Sequence, residues 1–147
     1  MENIITIPNI EDYTLQFIKG SLILTKNEPI ITKECLLEKC LKNSIILECK
    51  INNTILDKQN YNKYKKILMY LYSKIDRQLI LDKTTLNIKT EKLHNKGFDY
   101  YENLQLSIQG AESRRVLIEI INFIKILNYK MEIKIKLKDN EIIKFIL

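Results

Sequence analysis

Met131-Glu-Ile-Lys-Ile-Lys-Leu-Lys138 alternates apolar and charged residues without a break, and Asp139-Asn140 then leads into a second apolar stretch, residues 141–147. Period-two alternation sets Met131, Ile133, Ile135 and Leu137 on one face of a strand and Glu132, Lys134, Lys136 and Lys138 on the other. One dry and one wet face is the mark of an antiparallel sheet, since parallel strands are buried on both sides. The Asp-Asn pair is turn chemistry, so residues 141–147 are expected to fold back as the terminal strand.

Upstream, residues 112–127 have helical spacing, with Val116, Leu117, Ile120, Phe123, Ile124 and Leu127 on a wide apolar face. Ile118, Ile121 and Ile126 intrude on the side that carries Arg115, Glu119, Asn122 and Lys125. A surface helix has one apolar stripe, so this one is either central and covered twice or meets another subunit. The second alternative makes Ile118, Ile121 and Ile126 a self-association surface in a homo-oligomer.

The same order, a helix and then a hairpin, is read twice more. Residues 32–42 form a helix capped by Thr32 and followed by strands at 44–50 and 54–56 around Ile51-Asn-Asn-Thr54. Residues 62–77 form a second helix, followed by a hairpin of 79–82 and 86–90. Residues 3–8 are expected to be a short strand. Tyr13, Leu15 and Phe17, then Leu22 and Leu24, flank a turn at Lys19-Gly20. Leu104, Leu106 and Ile108 alternate with Gln105, Ser107 and Gln109, a strand with one wet face. Together these elements predict a single α+β domain, residues 1–147, with three helices packed on a mostly antiparallel or mixed sheet built from hairpins.

Composition bounds the function. The chain has 147 residues, 46% of them hydrophobic, enough apolar material to offset chain entropy. Its 27 isoleucines, against one Val (Val116) and one Ala (Ala111), point with abundant Lys and Asn to an AT-rich genome of the kind found in some large viruses, parasites or reduced bacteria. A net charge of +6 suits an acidic partner, DNA or RNA foremost. Three cysteines, Cys35, Cys40 and Cys49, cannot all pair and fit a reducing cytoplasm. With one histidine, His94, there is no zinc ligand set, and no cofactor is expected. Met1-Glu-Asn opens no signal peptide and no apolar run is long enough to cross a bilayer, so no membrane partner is expected.

The candidate binding surface is a charged stripe. On a helix over 62–77, Lys63, Lys66, Tyr70, Lys74 and Arg77 fall within about 80° of arc and span about 21 Å. Four cations there can each neutralise a phosphate, with Tyr70 able to stack on an unpaired base. Lys134, Lys136 and Lys138 form a second cationic row. Gly110-Ala-Glu-Ser-Arg-Arg115 is a strand-to-helix junction where Arg114 and Arg115 can receive an anion. The alternative there is a surface turn with Arg115 and Glu119 paired at i,i+4.

Catalytic signals are thin. Glu48-Cys49-Lys50 has the acidic-x-Lys order with which metal-dependent nucleases hold a cation and orient a water. About 1.7 such triplets are expected by chance from this composition, and two occur, the other being Glu132-Ile133-Lys134. The one Asp upstream of Glu48 is Asp12. The sequence therefore reads as a small, basic, non-enzymatic cytoplasmic protein that binds the nucleic-acid backbone, or as a structural protein that self-associates through residues 112–127.

Overall fold

The computed structural model describes residues 13–26 and 29–147. The strand expected at 3–8 and the acid Asp12 lie outside them. Strands β1 (Tyr13–Ile18) and β2 (Ser21–Lys26) pair antiparallel, and the turn falls at Lys19 (φ 51°) and Gly20 (φ 77°). Two left-handed residues in a row make the turn whose twist matches the flanking strands.

A five-stranded sheet follows, in the order β3 (Ile30–Ile31), β10 (Ile142–Ile146), β9 (Met131–Lys136), β4 (Ile45–Ile51), β5 (Thr54–Ile55). The β3–β10 pair is parallel and the other three pairs are antiparallel. The expected alternation holds along β9: Met131, Ile133 and Ile135 are buried, while Glu132, Lys134 and Lys136 are half-buried on the far face. A bulge between Ile46 and Glu48 offsets the β4 register at Leu47. It lets Ile46, Cys49 and Ile51 all point into the core despite their uneven spacing. A three-stranded antiparallel sheet has the order β6 (Ile88–Lys89), β8 (Leu106–Gln109), β7 (Phe98–Tyr101).

Five helices are present among the described residues, two more than expected: α1 (Lys33–Glu38), α2 (Lys58–Tyr61), α3 (Tyr64–Tyr72), α4 (Arg77–Lys83) and α5 (Ser113–Ile126). The segment read as one helix over 62–77 divides. After Tyr72 the chain tightens, with Lys74 N bonding Leu71 O at 2.9 Å and Ile75 N bonding Tyr72 O at 3.2 Å. Asp76 then accepts from Gln78 N at 3.1 Å and caps a new helix. The hairpin expected over 79–90 is corrected accordingly. Residues 79–82 lie in α4, with Ile80 buried, and only Ile88–Lys89 is a strand, paired with β8.

Strand β8 also departs from its pattern. Ser107, expected on a wet face, is fully buried; its hydroxyl donates to Glu91 O at 2.5 Å and accepts from Leu93 N at 2.8 Å. Residues 91–93 satisfy the hydroxyl, so its burial carries little cost.

Helix α5 is central. Leu117, Ile120, Ile121, Phe123 and Ile124 are inaccessible to solvent and belong to one apolar cluster that reaches from Leu36 through Ile133 and Ile135 to Phe145. Each such side chain contributes about 1.5–3 kcal/mol by leaving water. The helix ends where Asn128 turns left-handed (φ 54°) and Tyr129 N bonds Ile124 O at 2.9 Å. Helix α3 packs on α5, with Tyr72 meeting Phe123 edge-on at 5.4 Å between ring centroids.

Candidate functional site

Helix α3 exists because Tyr64, Ile67, Leu68, Leu71 and Tyr72 recur at helical spacing and bury against α5 and the sheet. Its start is fixed by the Tyr64 hydroxyl, 2.8 Å from Ser44 Oγ beside β4. That seating turns Lys66 outward. Lys63, as the N-cap residue, and Lys74, in the tightened turn after the helix, are exposed on the same stretch. Among the described residues none of these three lysines joins an ion pair.

The other two members of the expected row behave differently. Tyr70 is half-buried and its ring already carries the Lys74 ammonium, 5.3 Å from the centroid. Arg77 belongs to α4 rather than α3, and its Nη2 donates to Gln105 O at 2.9 Å. Lys65 is the lysine of this stretch that acids do engage. It lies 3.2 Å from Asp99 and over the Tyr101 ring at 5.2 Å. Burial works against its charge, yet hydrogen bonds and charge from Tyr101 and Asp99 hold its pKa above the ordinary lysine value.

Folding brings Lys63 to the start of α5. Lys63, Lys65, Asn43, Ser44 and Ser113 line a cleft of about 260 Å³. An adjoining cleft of about 420 Å³ shares Leu41 and Ser113 and adds Lys39, Lys42, Glu112 and Arg114. The Glu112 side chain makes no capping hydrogen bond, and no acidic residue occupies the first turn of α5. Two features separated by about 50 residues in sequence thus form one cationic tract that takes in exposed Arg114, while Arg115, also exposed, lines neither cleft. The contribution of Lys39 and Lys42 was not legible in the sequence, because it depends on where the loop after α1 is laid. Lys39 also reaches Glu141, at 3.4 Å.

The expected Arg115–Glu119 pair does not form. Glu119 is fully buried and accepts from the Tyr72 hydroxyl, Thr84 Oγ1, Thr85 N and Thr85 Oγ1, the last two at 2.8 Å. One sequence signal was available: Glu119 lies about 40° of helical arc from Phe123 and about 60° from Val116.

Lys134 and Lys136 are half-buried on the face of the five-stranded sheet opposite the buried Met131, Ile133 and Ile135. Lys134 is flanked by Glu48 and Lys144 across the strands, and Lys50 by Glu132. Glu132 pairs with Lys144; that hydrogen bond, then the charges of Lys144, Lys50 and Lys134, holds its carboxyl below the usual range. Ile30, Ile45, Ile55 and Ile146 are exposed on the strands around these charges. Glu48 and Lys50 therefore belong to a cross-strand charge lattice. Among the described residues no group of three or more His, Cys, Asp or Glu side chains gathers as metal ligands do.

On α5, Ile121 is fully buried within the chain's own core, Ile118 is half-buried and Ile126 is exposed. The expected outward strip is broken at its centre. No helix described here is long and apolar enough to cross a membrane. No protein-family model matches the chain, and neither the curated proteins nor the solved structures offer a significant match.

Proposed function

We propose that this chain is a non-catalytic nucleic-acid-binding protein that holds the phosphate backbone along α3 and into the cleft at the start of α5. One observation carries the reading: Lys63, Lys66 and Lys74 are exposed together and no described carboxylate neutralises them. Lys39, Lys65, Lys92 and Lys144 each have an acidic partner. Exposed lysines such as Lys58, Lys83, Lys96 and Lys130 have none among the described residues, so what sets Lys63, Lys66 and Lys74 apart is their succession along one stretch of chain. Unpaired cations in a row are what releases counterions when a polyanion binds. Arg114 and Lys42 extend the tract, and Arg114 suits bidentate contact with a phosphate. With no base-reading module in the sequence, affinity comes from the backbone and no sequence-specific readout is expected.

A salt titration tests this directly. Three neutralised phosphates give a slope of log Kobs against log salt of about −2 to −3. Replacing Lys66 and Lys74 with Glu is expected to abolish retention on heparin or DNA with little effect on Tm, since both side chains are exposed and only the Lys74 contact with the Tyr70 ring is lost. Wild-type protein that ignores heparin, DNA and RNA at low salt ends the proposal.

A further inference from the structure

The lysine row ends in a third cleft. Ser73, Ile75 and Arg77 on one side and Asn103, Leu104 and Gln105 on the other, with buried Tyr72 also on its wall, line an open cleft of about 440 Å³, within the span of about 300–1,000 Å³ usual for small-ligand sites. Half-buried Ile75 and Leu104 supply apolar surface, Ser73, Arg77, Asn103 and Gln105 are exposed at the rim, and none of the lining residues is acidic. Arg77 is held in place by the Gln105 carbonyl at 2.9 Å. That carbonyl is itself fixed by a turn in which Gln105 is left-handed (φ 53°) and its N–H bonds Glu102 O at 3.2 Å.

The chemistry of the cleft is that of planar recognition. A pinned guanidinium offers a flat stacking surface, Ile75 and Leu104 offer an apolar one, and the carboxamides of Asn103 and Gln105 make no hydrogen bond among the described residues. Stacking plus amide contacts to a base edge is how proteins hold nucleobases splayed from a strand. Tyr70, the platform expected from sequence, already carries the Lys74 ammonium, and the base site lies onward, past the end of α3. We infer that this cleft receives an unpaired base of a single-stranded nucleic acid whose phosphates lie along Lys63, Lys66 and Lys74. The inference rests on the backbone-binding reading above. A duplex, whose bases stay stacked inside, has no base to offer the site.

Fluorescence anisotropy with short labelled strands separates the two claims. The probes are single-stranded DNA and RNA, a strand of equal length with abasic sites throughout, and a duplex. Wild-type protein is expected to bind the base-bearing single strands about tenfold more tightly than the abasic strand. Asn103→Ala and Arg77→Lys, which keeps the charge but loses the plane, are each expected to reduce that ratio several-fold, and together to bring it to about 1, while Lys66→Glu weakens every probe. Equal wild-type affinity for base-bearing and abasic strands, or a ratio that survives both substitutions, overturns the base site and leaves the backbone reading standing. Failure to bind any probe at low salt removes both.

Discussion

The phenol of Tyr72 donates its hydrogen bond to the carboxylate of Glu119 inside a core where neither side chain reaches water. Burial, then the hydrogen bond and charge of Glu119, drive the Tyr72 pKa well above the ordinary tyrosine value. Among the described residues no cation pairs with the carboxylate. Tyr72, Thr84 and Thr85 supply four donors in place of its hydration. These bonds tie α3 and the end of α4 to α5. Glu119→Ala strands every one of those donors, and a loss of about 3–5 kcal/mol is expected. Tyr72→Phe removes one donor of four and is expected to cost about 1–3 kcal/mol. Urea unfolding at neutral pH measures both. A Glu119→Ala cost below that of Tyr72→Phe contradicts the account.

Cys49 gives a pH prediction. Burial, with a smaller contribution from the Glu48 charge, pushes its thiol up to about 12. The unfolded chain loses this proton near the ordinary value of about 8.5, so above it the unfolded state binds fewer protons than the folded one. The stability this group contributes is complete below that pH and is lost as pH climbs toward 12. The expected slope over that window is about −1.4 kcal/mol per pH unit. Cys49→Val removes this slope, and tyrosine ionisation adds its own loss above about 10 in both proteins. Denaturant melts at stepped alkaline pH make the comparison. Alkylation read by mass spectrometry is expected to reach exposed Cys40 first and Cys49 last.

The legible parts of the fold were those fixed by local periodicity. Residues 131–138 alternate so regularly that β9 and its wet face followed directly, and Val116 through Leu127 gave α5 to within a residue at each end. The break between α3 and α4 was missed because Lys74 and Arg77 continue the angular spacing of Lys66. The boundary is set by one capping side chain, Asp76. Ser107 and Glu119 were misassigned for a shared reason. A polar side chain enters a core when partners distant in sequence satisfy it, and those partners leave no local pattern. The α3 lysines were legible as charge. Their lack of carboxylate partners among the described residues, and the approach of Lys63 to the start of α5, are tertiary facts.

Lys65 and Lys66 are neighbours in sequence with different surroundings, and that difference tests the binding surface. Lys65 is committed to Asp99 and the Tyr101 ring, whereas Lys66 stands in water. Lys66→Ala is expected to lower the elution salt on heparin and reduce the magnitude of the salt slope by about 0.7–0.9. Lys65→Ala is expected to shift elution less, because removing it also frees the acid it neutralises. Its stability effect is expected within about 1 kcal/mol, as for exposed pairs. Equal elution shifts for the two variants imply a polyanion path that does not distinguish outward from paired lysines.

Ile121 and Ile126 separate a core residue from a surface one on the same helix. Ile121 is inaccessible within one chain, whereas Ile126 is 41% exposed. A glutamate at 121 buries a charge with no arranged donors, and loss of more than about 4 kcal/mol is expected, enough to unfold a domain of ordinary stability. A glutamate at 126 projects into water, and a change within about 0.5 kcal/mol is expected if the chain is monomeric. Light scattering and thermal melts on both variants distinguish the cases. A self-associating protein shows a folded wild-type dimer that Ile126→Glu dissociates. A role in the core alone shows Ile121→Glu unfolded and Ile126→Glu unchanged in mass, because an interface needs an accessible apolar side chain and Ile121 has none to give.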